Sequence, residues 1–402
     1  MPASSRQPTG TACGGSLVFI RLLNAFAGVP DPRERREPQH LLGDILVIAV
    51  CTALCGQSAF TDMEDFARDH EHWLRTFLEL PGGIPSHDTF NRVFQAIDTH
   101  LFEAAFRSWT AGLCGPAVQV PAGVPSIAML RHLAIDGKVL CGSKGTGQNR
   151  AAALNVWNVD DGLVFAQRRI PEDGSEITQM PLLLRHLQLK GTVVSMDAAQ
   201  CQTDTIDLIV ERGGEWLVSL RDNQPTTAAE ITPLLDALAA AKTPAAESTD
   251  KGHGRIEIRR CWILQGEAIT QLECRGRWKG LCCAVLCERT VIEPLTHKET
   301  TGRRLFMTSL PPQAAELAQL VRRHWQVESC LHWSLDVLWR EDEARARTGH
   351  AATNLSLIRK TAVNLLKLLQ PQFPQMTVAR LMKKAARRPD FLYNLLTNLL
   401  RA

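Results

Sequence analysis

One six-residue segment constrains the fold of this chain more than any other. In Leu133-Ala134-Ile135-Asp136-Gly137-Lys138, a short apolar run delivers a carboxylate to its own end, and a glycine follows. Short apolar runs bounded by glycine are typical of buried strands. We therefore predict a strand that breaks at Gly137 and leaves the Asp136 carboxylate at the edge of a sheet.

The surrounding sequence predicts two more strands before any helix. Asp160-Asp161-Gly162 separates two apolar runs and favours a hairpin, because Asp-Gly readily takes the positive φ of a tight turn. Two further strands then follow, each after a helix. In chain order, the predicted strands are 133–135, 153–159, 163–170, 192–196 and 216–219, and the predicted helices are 181–189 and 203–212.

Strands joined through helices favour parallel pairing, so the first, fourth and fifth strands are expected to lie side by side. Asp197 closes the fourth strand in the way that Asp136 closes the first. Neighbouring parallel strands end at the same edge of a sheet, where open α/β sheets bind ligands. We therefore expect Asp136 and Asp197 to lie close together in a nuclease-type core.

A third acid, Glu328, lies in the segment 314–338, which contains no Pro or Gly and is predicted to be one long helix. Counting by four places His324, Glu328, His332 and Asp336 on one stripe of that helix. A carboxylate beside the apolar stripe can be held against the sheet edge and still bind a metal.

Three carboxylates at one edge predict a divalent metal site. Oxygen ligands around a reacting phosphate suit magnesium or manganese better than zinc. His324 and His332 flank Glu328 at helical spacing and could suggest zinc, but no second ligand pair accompanies them. We interpret the two histidines as contacts to phosphate or DNA, or as packing residues.

Longer motifs, in a fixed order, carry a family resemblance. They are Pro30-Asp31-Pro32-Arg33, Asp62-Met63-Glu64-Asp65-Phe66, Gly83-Ile84-Pro85-Ser86-His87-Asp88-Thr89-Phe90, Ala134-Ile135-Asp136-Gly137-Lys138, Asp197-Ala198-Ala199-Gln200-Cys201-Gln202, Asp222-Asn223-Gln224, His253-Gly254-Arg255-Ile256-Glu257, His324-Trp325-Gln326-Val327-Glu328, Leu331-His332-Trp333-Ser334-Leu335-Asp336-Val337 and Arg340-Glu341-Asp342. From about Gly28 to Asn364, the chain resembles the DDE-type insertion-sequence transposases, specifically their H-repeat-associated group.

The resemblance implies an RNase H-like catalytic domain whose metal-binding triad maps onto Asp136, Asp197 and Glu328. Two Mg²⁺ or Mn²⁺ ions would support cleavage at the element's ends and strand transfer into target DNA. Two alternatives stay open: an RNase H-like nuclease that only hydrolyses, and a catalytically inactive DNA-binding protein derived from a transposase.

Several positions depart from the family pattern. Cys141 stands where a basic residue is usual after the first Asp, and Arg221 replaces the usual Lys before Asp-Asn-Gln. Related insertion-sequence transposases carry Tyr, Arg and Lys around the last Glu, where this chain has Val321, His324 and Leu335. The departures leave the phosphate contacts of that helix open, but not its Glu.

The predicted fold class is α/β: an RNase H-like mixed sheet with a β-rich insertion, an N-terminal all-helical domain and a basic helical C-terminus. The predicted divisions are a disordered tail at 1–17, a helical domain at 18–120, a catalytic domain at 126–225 and 312–370, a β-rich insertion at 226–311 and a C-terminus at 371–402. Within the insertion, 239–254 is predicted to be a low-complexity linker. A C-terminal amphipathic helix is predicted at 354–369.

Candidate DNA contacts follow the basic residues. The N-terminal helix 86–97 could enter a groove, or the helices could form a purely structural bundle. Residues 340–402 contain twelve Lys or Arg against four acids, a charge of +8 in a chain whose net charge is +3, and such a surface can bind phosphates. The predicted DNA contacts are Lys138, Lys144, Arg221, His253, Arg255, His324, His332, Lys383, Lys384, Arg387 and Arg388.

Other features narrow the class of protein. The glycine-rich loop 142–147 lacks the GxxxxGK[ST] order of a P-loop and gives no support for nucleotide hydrolysis. The twelve cysteines form no zinc pattern and are expected to be reduced thiols. The apolar run 45–55 is too short to span a bilayer. We therefore expect a cytoplasmic protein that acts on double-stranded DNA as a homodimer or higher oligomer, without a membrane segment.

Overall fold

The computed structural model describes residues 17–33, 38–113, 126–144, 150–252 and 254–398. The chain divides into two compact units. The helical unit contains residues 1–113 and 348–402, and the sheet unit contains residues 114–347. The predicted catalytic domain extended to residue 370, whereas the structure groups residues 348–370 with the helical unit. All but the last residue of the predicted tail at 1–17 lies outside the described residues.

The first part of the helical unit consists of short helices. A helical stretch is divided at His70, and its start is capped by Asp62, which accepts a hydrogen bond from the Ala59 backbone N–H at 2.9 Å. Asp98 caps the last helix by accepting from the N–H of His100 and Leu101. The helices are α1 Leu17–Ala27, α2 Leu42–Leu54, α3 Phe60–Asp69, α4 Glu71–Leu74, α5 His87–Ala96 and α6 Thr99–Ala111.

The sheet unit is built on nine strands that form a single mixed sheet, in the order β3-β2-β1-β4-β5-β9-β8-β7-β6. The strands are β1 Arg131–Val139, β2 Ala152–Asn158, β3 Leu163–Ile170, β4 Thr192–Met196, β5 Glu215–Leu220, β6 Ala246–Gly252, β7 Arg255–Leu264, β8 Cys283–Glu293 and β9 Lys298–Thr308. The helices of this unit are α7 Glu176–Leu184, α8 Thr203–Glu211, α9 Pro225–Ala241, α10 Glu267–Thr270, α11 Ala314–His324 and α12 Trp333–Leu338.

The predicted parallel core is confirmed. β4 pairs in parallel with β1 on one side and with β5 on the other, while β1, β2 and β3 form the predicted antiparallel meander. The predicted break at Gly137 is wrong, because β1 continues to Val139 and pairs there with β2. Only its parallel pairing with β4 stops, at Ile135 opposite Met196.

The residues predicted as an insertion extend the same sheet. β9 pairs antiparallel with β5, and β8, β7 and β6 follow outward, so their backbone continues the core sheet. The low-complexity linker predicted at 239–254 is wrong. Its first residues end α9 and its last ones form β6, because Ala-rich sequence favours a helix and β6 satisfies its backbone through pairing with β7.

The two faces of the sheet are covered by different helices, and strand alternation decides which side chains each face receives. Leu133, Ile135 and Val194 pack in the apolar core that also contains side chains of α7, α8 and α9. Val193 and Leu217 point to the opposite face and pack with Leu317, Leu320 and Val321 of α11. The face beneath α11 therefore receives His132, Asp136, Ser195 and Asp197.

The helical unit is completed by α13 Ala351–Leu369, α14 Val378–Arg387 and α15 Pro389–Asn398. α13 confirms the helix predicted at 354–369, but it contacts α2, α5 and α6 and is buried on almost all sides, so its predicted amphipathic character is wrong. Its polar residues are buried with partners: the Asn354 amide donates to the carbonyl oxygens of Phe94 and Ile97, at the end of α5. Within the described residues, no helix is long and apolar enough to cross a membrane.

Candidate active site

Strand register places the two aspartates next to each other. The last parallel pairs between β1 and β4 are Ala134 with Ser195 and Ile135 with Met196. Asp136 and Asp197 are the next residues on their strands, and both project towards the face covered by α11. The predicted approach of the two carboxylates is therefore built into the sheet.

Glu328 lies in a helical segment that is interrupted. α11 ends at His324, and residues Val327–His332 form a π-helical turn before α12 begins. The uninterrupted helix predicted over 314–338 is thus wrong, and the spacing by four does not describe it. π-helical turns inside helices are frequent at functional sites, because one widened turn re-aims the side chains around it.

The three acids act on one another electrostatically. The pKa of Asp136 is raised to about 7, first by burial and then by the negative charges of Asp197 and Glu328, although His324 opposes the shift. Glu341 and Asp342, which follow later in the sequence, act instead on Lys138 and raise its pKa. Glu328 is therefore the predicted third acid whose charge acts on Asp136.

Asp197 is the end of a buried chain of polar groups. His324 Nε2 lies 3.5 Å from Asp197 Oδ1, and His324 Nδ1 lies 2.8 Å from the hydroxyl of Ser195. The same hydroxyl lies 2.7 Å from His132 Nε2. The hydrogen bond from His324 is the main cause of the lowered pKa of Asp197, and the charges of Arg221 and Arg304 add to it.

Asp136 has a looser histidine partner. His332 Nδ1 lies 3.6 Å from Asp136 Oδ2, and His332 Nε2 lies 3.4 Å from the amide nitrogen of Asn155. Asn155 stands opposite Asp136 in the pairing of β1 with β2. Each aspartate therefore has one histidine from the segment that carries Glu328. The structure places His324, which is 4% exposed, behind Asp197, so its predicted contact with DNA is replaced by a contact with a carboxylate.

Lys138 is also placed differently from its predicted phosphate contact. Its ammonium is buried and lies 2.7 Å from Asp336 Oδ1 and 3.4 Å from Asp342 Oδ1. Burial opposes the charge of Lys138, but these acids outweigh burial and raise its pKa. The ammonium is balanced by carboxylates from the chain itself and acts as a structural ion pair.

Of the remaining predicted DNA contacts, Arg221 is the one whose charge acts on a carboxylate of the site. Arg221 is exposed directly after β5, near Asp197. Arg255 pairs with Glu257 at 2.8 Å near the start of β7, and Lys144 is exposed. In the helical unit, Lys383, Arg387 and Arg388 are exposed, whereas Lys384 lies 4.2 Å from the ring centre of Phe391. His253 and the loop residues 145–149 lie outside the described residues.

A fourth carboxylate, Glu176, was not among the predicted site residues. Ser175 caps α7, which begins five residues before the helix predicted at 181–189, and this places Glu176 directly over Gly137. A Cβ on Gly137 would collide with the Glu176 carboxylate, so any larger residue here would displace that side chain. Burial raises the pKa of Glu176, Gln200 donates a hydrogen bond to it at 2.7 Å, and the charge of Asp197 raises the pKa further. The capping pattern of Ser175 with Thr178 was the available signal.

The donor set at this edge fits a hard divalent cation, because burial and mutual repulsion of carboxylates are relieved by such an ion. The side chains are not already gathered around one point. Among the described residues, no three His, Cys, Asp or Glu side chains converge closely enough to hold a metal ion together. The structure thus brings together Asp136, Asp197 and Glu328 as interacting charges.

Comparison with known proteins identifies the family. The family model described as "Transposase DDE domain" matches residues 128–365, and the model described as "DDE_Tnp_1-associated" matches residues 23–110. The chain belongs to the DDE transposases, for which DNA is the partner.

Its relatives narrow the family to the H-repeat group. The H repeat-associated putative transposase YhhI of Escherichia coli (strain K12) is 31% identical over 94% of this chain and 97% of its own length. An uncharacterized protein in the dhlA 3' region of Xanthobacter autotrophicus is 37% identical over 71% of this chain and 92% of its own. The putative transposase YncI of Escherichia coli O157:H7 is 31% identical over 86% and 87%, respectively.

Proposed function

We propose that this chain is an active transposase that cuts DNA at the ends of an insertion sequence and joins the freed 3′-hydroxyl to target DNA. The observation that carries the proposal is the parallel register of β1 and β4, which brings Asp136 and Asp197 to neighbouring strand positions. Burial and the charges of Asp197 and Glu328 raise the pKa of the half-buried Asp136, and acids with perturbed pKa values are typical of functional sites. The strand order β3-β2-β1-β4-β5, with β2 antiparallel and β4 and β5 parallel to β1, supports an RNase H-like core.

Asp136, Asp197 and Glu328 would hold two Mg²⁺ or Mn²⁺ ions. Such ions, when bound, activate the attacking hydroxyl and stabilise the leaving oxygen in an in-line displacement. The protein's own contribution is positional. β1 and β4 fix two carboxylates by register, the π-helical turn aims Glu328 at them, and His324 orients Asp197 through its bond to Ser195.

DNA binding is proposed for both units. Arg221 lies beside the carboxylates, and Lys383, Arg387 and Arg388 form an exposed basic surface at the end of α14. Such surfaces bind phosphates without reading sequence. A helical N-terminal domain that reads the element's ends and a homodimer that pairs two ends are part of the same proposal, for a protein that acts in the cytoplasm.

A strand-transfer assay tests this function. The full-length protein is incubated with Mg²⁺, a labelled duplex that ends in the element's pre-cut terminus, and supercoiled target DNA. We expect joined product from the wild type and none from Asp136→Ala, which should still bind the duplex. Hydrolysis without joining would instead identify a nuclease. Binding without cleavage, in wild type and variant alike, would identify an inactive DNA-binding protein.

A further inference from the structure

A large groove of the sheet unit includes Glu328 of the candidate active site in its lining. Its volume is about 1350 Å³. It is lined by Trp325, Glu328 and Ser329, which follow α11, and by residues of α11, β6, β7, β8 and β9. The strands that were expected to form a separate insertion therefore build the wall beside Glu328.

Most arginines that line the groove are already paired with acids. Arg259 binds Asp250 at 2.5 Å and also contacts Glu257, and Arg322 binds Asp250 at 2.8 Å. Arg260 binds Glu247 at 2.8 Å. A guanidinium that is held by neighbouring carboxylates has fewer donors left for a ligand.

Arg304 on β9 differs from these arginines. Its guanidinium carbon lies 3.9 Å from the centre of the Trp325 ring, and within the described parts of the chain no carboxylate comes within 4.0 Å of its nitrogens. Stacking fixes the plane of the guanidinium but occupies none of its five N–H donors. Arg304 is therefore oriented and still able to form hydrogen bonds.

A second cation lies near Arg304. Burial lowers the pKa of Arg304, and the positive charge of Arg221 lowers it further, whereas Asp197 and Glu328 oppose the shift. Two guanidinium groups that repel each other, next to carboxylates that do not pair with them, form a place where an anion lowers the electrostatic energy. A DNA strand that approaches three acids needs such a cation beside them.

We propose that Arg304, held flat by Trp325 and assisted by Arg221, binds a phosphodiester group of the DNA strand next to the bond that is cut. This inference rests on the proposed function, since it names the contact that anchors the DNA in that site. The guanidinium fork matches two phosphate oxygens, so Arg304 would fix the strand relative to Asp197 and Glu328. The groove beyond Arg304 then carries the continuation of the strand.

The test uses a set of duplexes that carry the element's terminal repeat, taken from the DNA flanking the gene. Each duplex has one neutral methylphosphonate in place of a phosphate, at one position within three nucleotides of the cut. Binding constants and cleavage rates are measured for the full-length wild type, Arg304→Gln and Arg277→Gln. Arg277 is a matched control, because it is exposed over another indole, that of Trp278, at 5.7 Å and does not line the groove.

For the wild type we expect one or two methylphosphonates to weaken binding or cleavage by roughly 10- to 100-fold, the range of a charge-assisted hydrogen bond. Arg304→Gln should lose the same factor on unmodified DNA and show no additional loss at those positions. Arg277→Gln should behave as the wild type. Arg304→Lys should recover little, since an ammonium cannot form the fork.

The proposed contact would be wrong if the losses caused by Arg304→Gln and by the methylphosphonate were additive at every position. It would also be wrong if Arg304→Gln bound and cut DNA like the wild type. Circular dichroism and the melting temperature show whether each variant is folded. Trp325→Leu is a second variant for the same test, since it removes the ring that orients Arg304 and keeps the charge of Arg304. If the wild type cuts none of the duplexes, the proposed function fails, but the binding constants still decide on Arg304.

Discussion

Asp136 and Asp197 occupy matching positions on neighbouring strands, yet their surroundings push their charges in opposite directions. The pKa of Asp136 is raised to about 7, whereas the pKa of Asp197 is lowered. Asp136 is the more buried of the two and faces the other two acids. Asp197 receives a hydrogen bond from His324 and lies near two arginines.

The difference shows that register alone does not set the chemistry of a residue. The sheet places both carboxylates, but burial and the charge of Asp197 raise the pKa of Asp136, whereas His324 lowers the pKa of Asp197. At neutral pH the site therefore has an ionised carboxylate, Asp197, beside a partly protonated one, Asp136, at the same edge of the sheet. A bound divalent cation would stabilise the ionised form of Asp136 most, because ionising this carboxylate carries the largest electrostatic cost in the absence of the cation.

Removal of either charge should have the largest effect. Asp136→Asn and Asp197→Asn each remove a carboxylate while preserving shape, so cleavage of a labelled end should fall by roughly 10³-fold or more. Binding to the end should remain within a few fold, as measured by electrophoretic mobility shift. Normal turnover by either variant would remove that residue from the site.

The third acid can be separated from its neighbour in sequence. Glu328→Gln should reduce cleavage by roughly 10²- to 10³-fold, because Glu328 acts on Asp136. Glu341 is buried beside the ion pairs of Lys138, so Glu341→Gln should lower the melting temperature instead. The two variants are compared in cleavage and in thermal unfolding. A loss of cleavage only in Glu341→Gln would mean that the third acid is misassigned.

The raised pKa of Asp136 predicts how stability depends on pH in the absence of metal. A folded pKa of about 7 against an ordinary 3.8 means that this group adds no penalty below about pH 4, destabilises the fold increasingly between about pH 4 and 7, and adds a constant penalty above pH 7. The free energy of unfolding of Asp136→Asn should therefore exceed that of the wild type by roughly 4 kcal/mol at pH 8, with little difference near pH 4. Urea titrations in EDTA measure this, and a constant difference across pH would contradict it.

The two histidines should differ in effect, since their aspartates differ. His324 is held by Ser195, so His324→Gln should raise the half-saturating Mg²⁺ concentration or lower the cleavage rate by roughly 10- to 100-fold. Ser195→Ala should reproduce part of this change, although it touches no carboxylate. His332→Gln should have the smaller effect, because the second ring nitrogen of His332 lies 3.4 Å from the Asn155 side-chain amide, whereas that of His324 lies 2.8 Å from the Ser195 hydroxyl. Equal effects of His324→Gln and His332→Gln on a Mg²⁺ titration would show that the two histidines do not differ in their effect on the aspartates.

The sequence was sufficient to place the two aspartates, because period-two alternation and helix-joined strands are local signals. It could not predict the partner of His324, since Ser195 and His132 reach this residue only when β1, β4 and α11 pack together. Arg304 escaped notice for the same reason, because it comes to the site through pairing of β9 with β5.

Two predictions were wrong because tertiary packing overrode the local preference of the residues. Gly137 was interpreted as the end of a strand, but its missing Cβ accommodates Glu176 while the strand continues. The polar residues of α13 predicted an exposed helical face, but Asn354 and its neighbours are satisfied by other helices in a buried position. The π-helical turn has no sequence signal that we can identify.

The position of α13 has a consequence for synthesis of the protein. The helix that fills the core of the helical unit is made only after the whole sheet unit, since α6 ends at Ala111 and α13 at Leu369. At roughly 5–20 residues per second, the ribosome takes on the order of 10–50 s to cover that interval. During this time the apolar faces of α2, α5 and α6 lack their partner, so the first helices to leave the ribosome are among the last to reach their native packing.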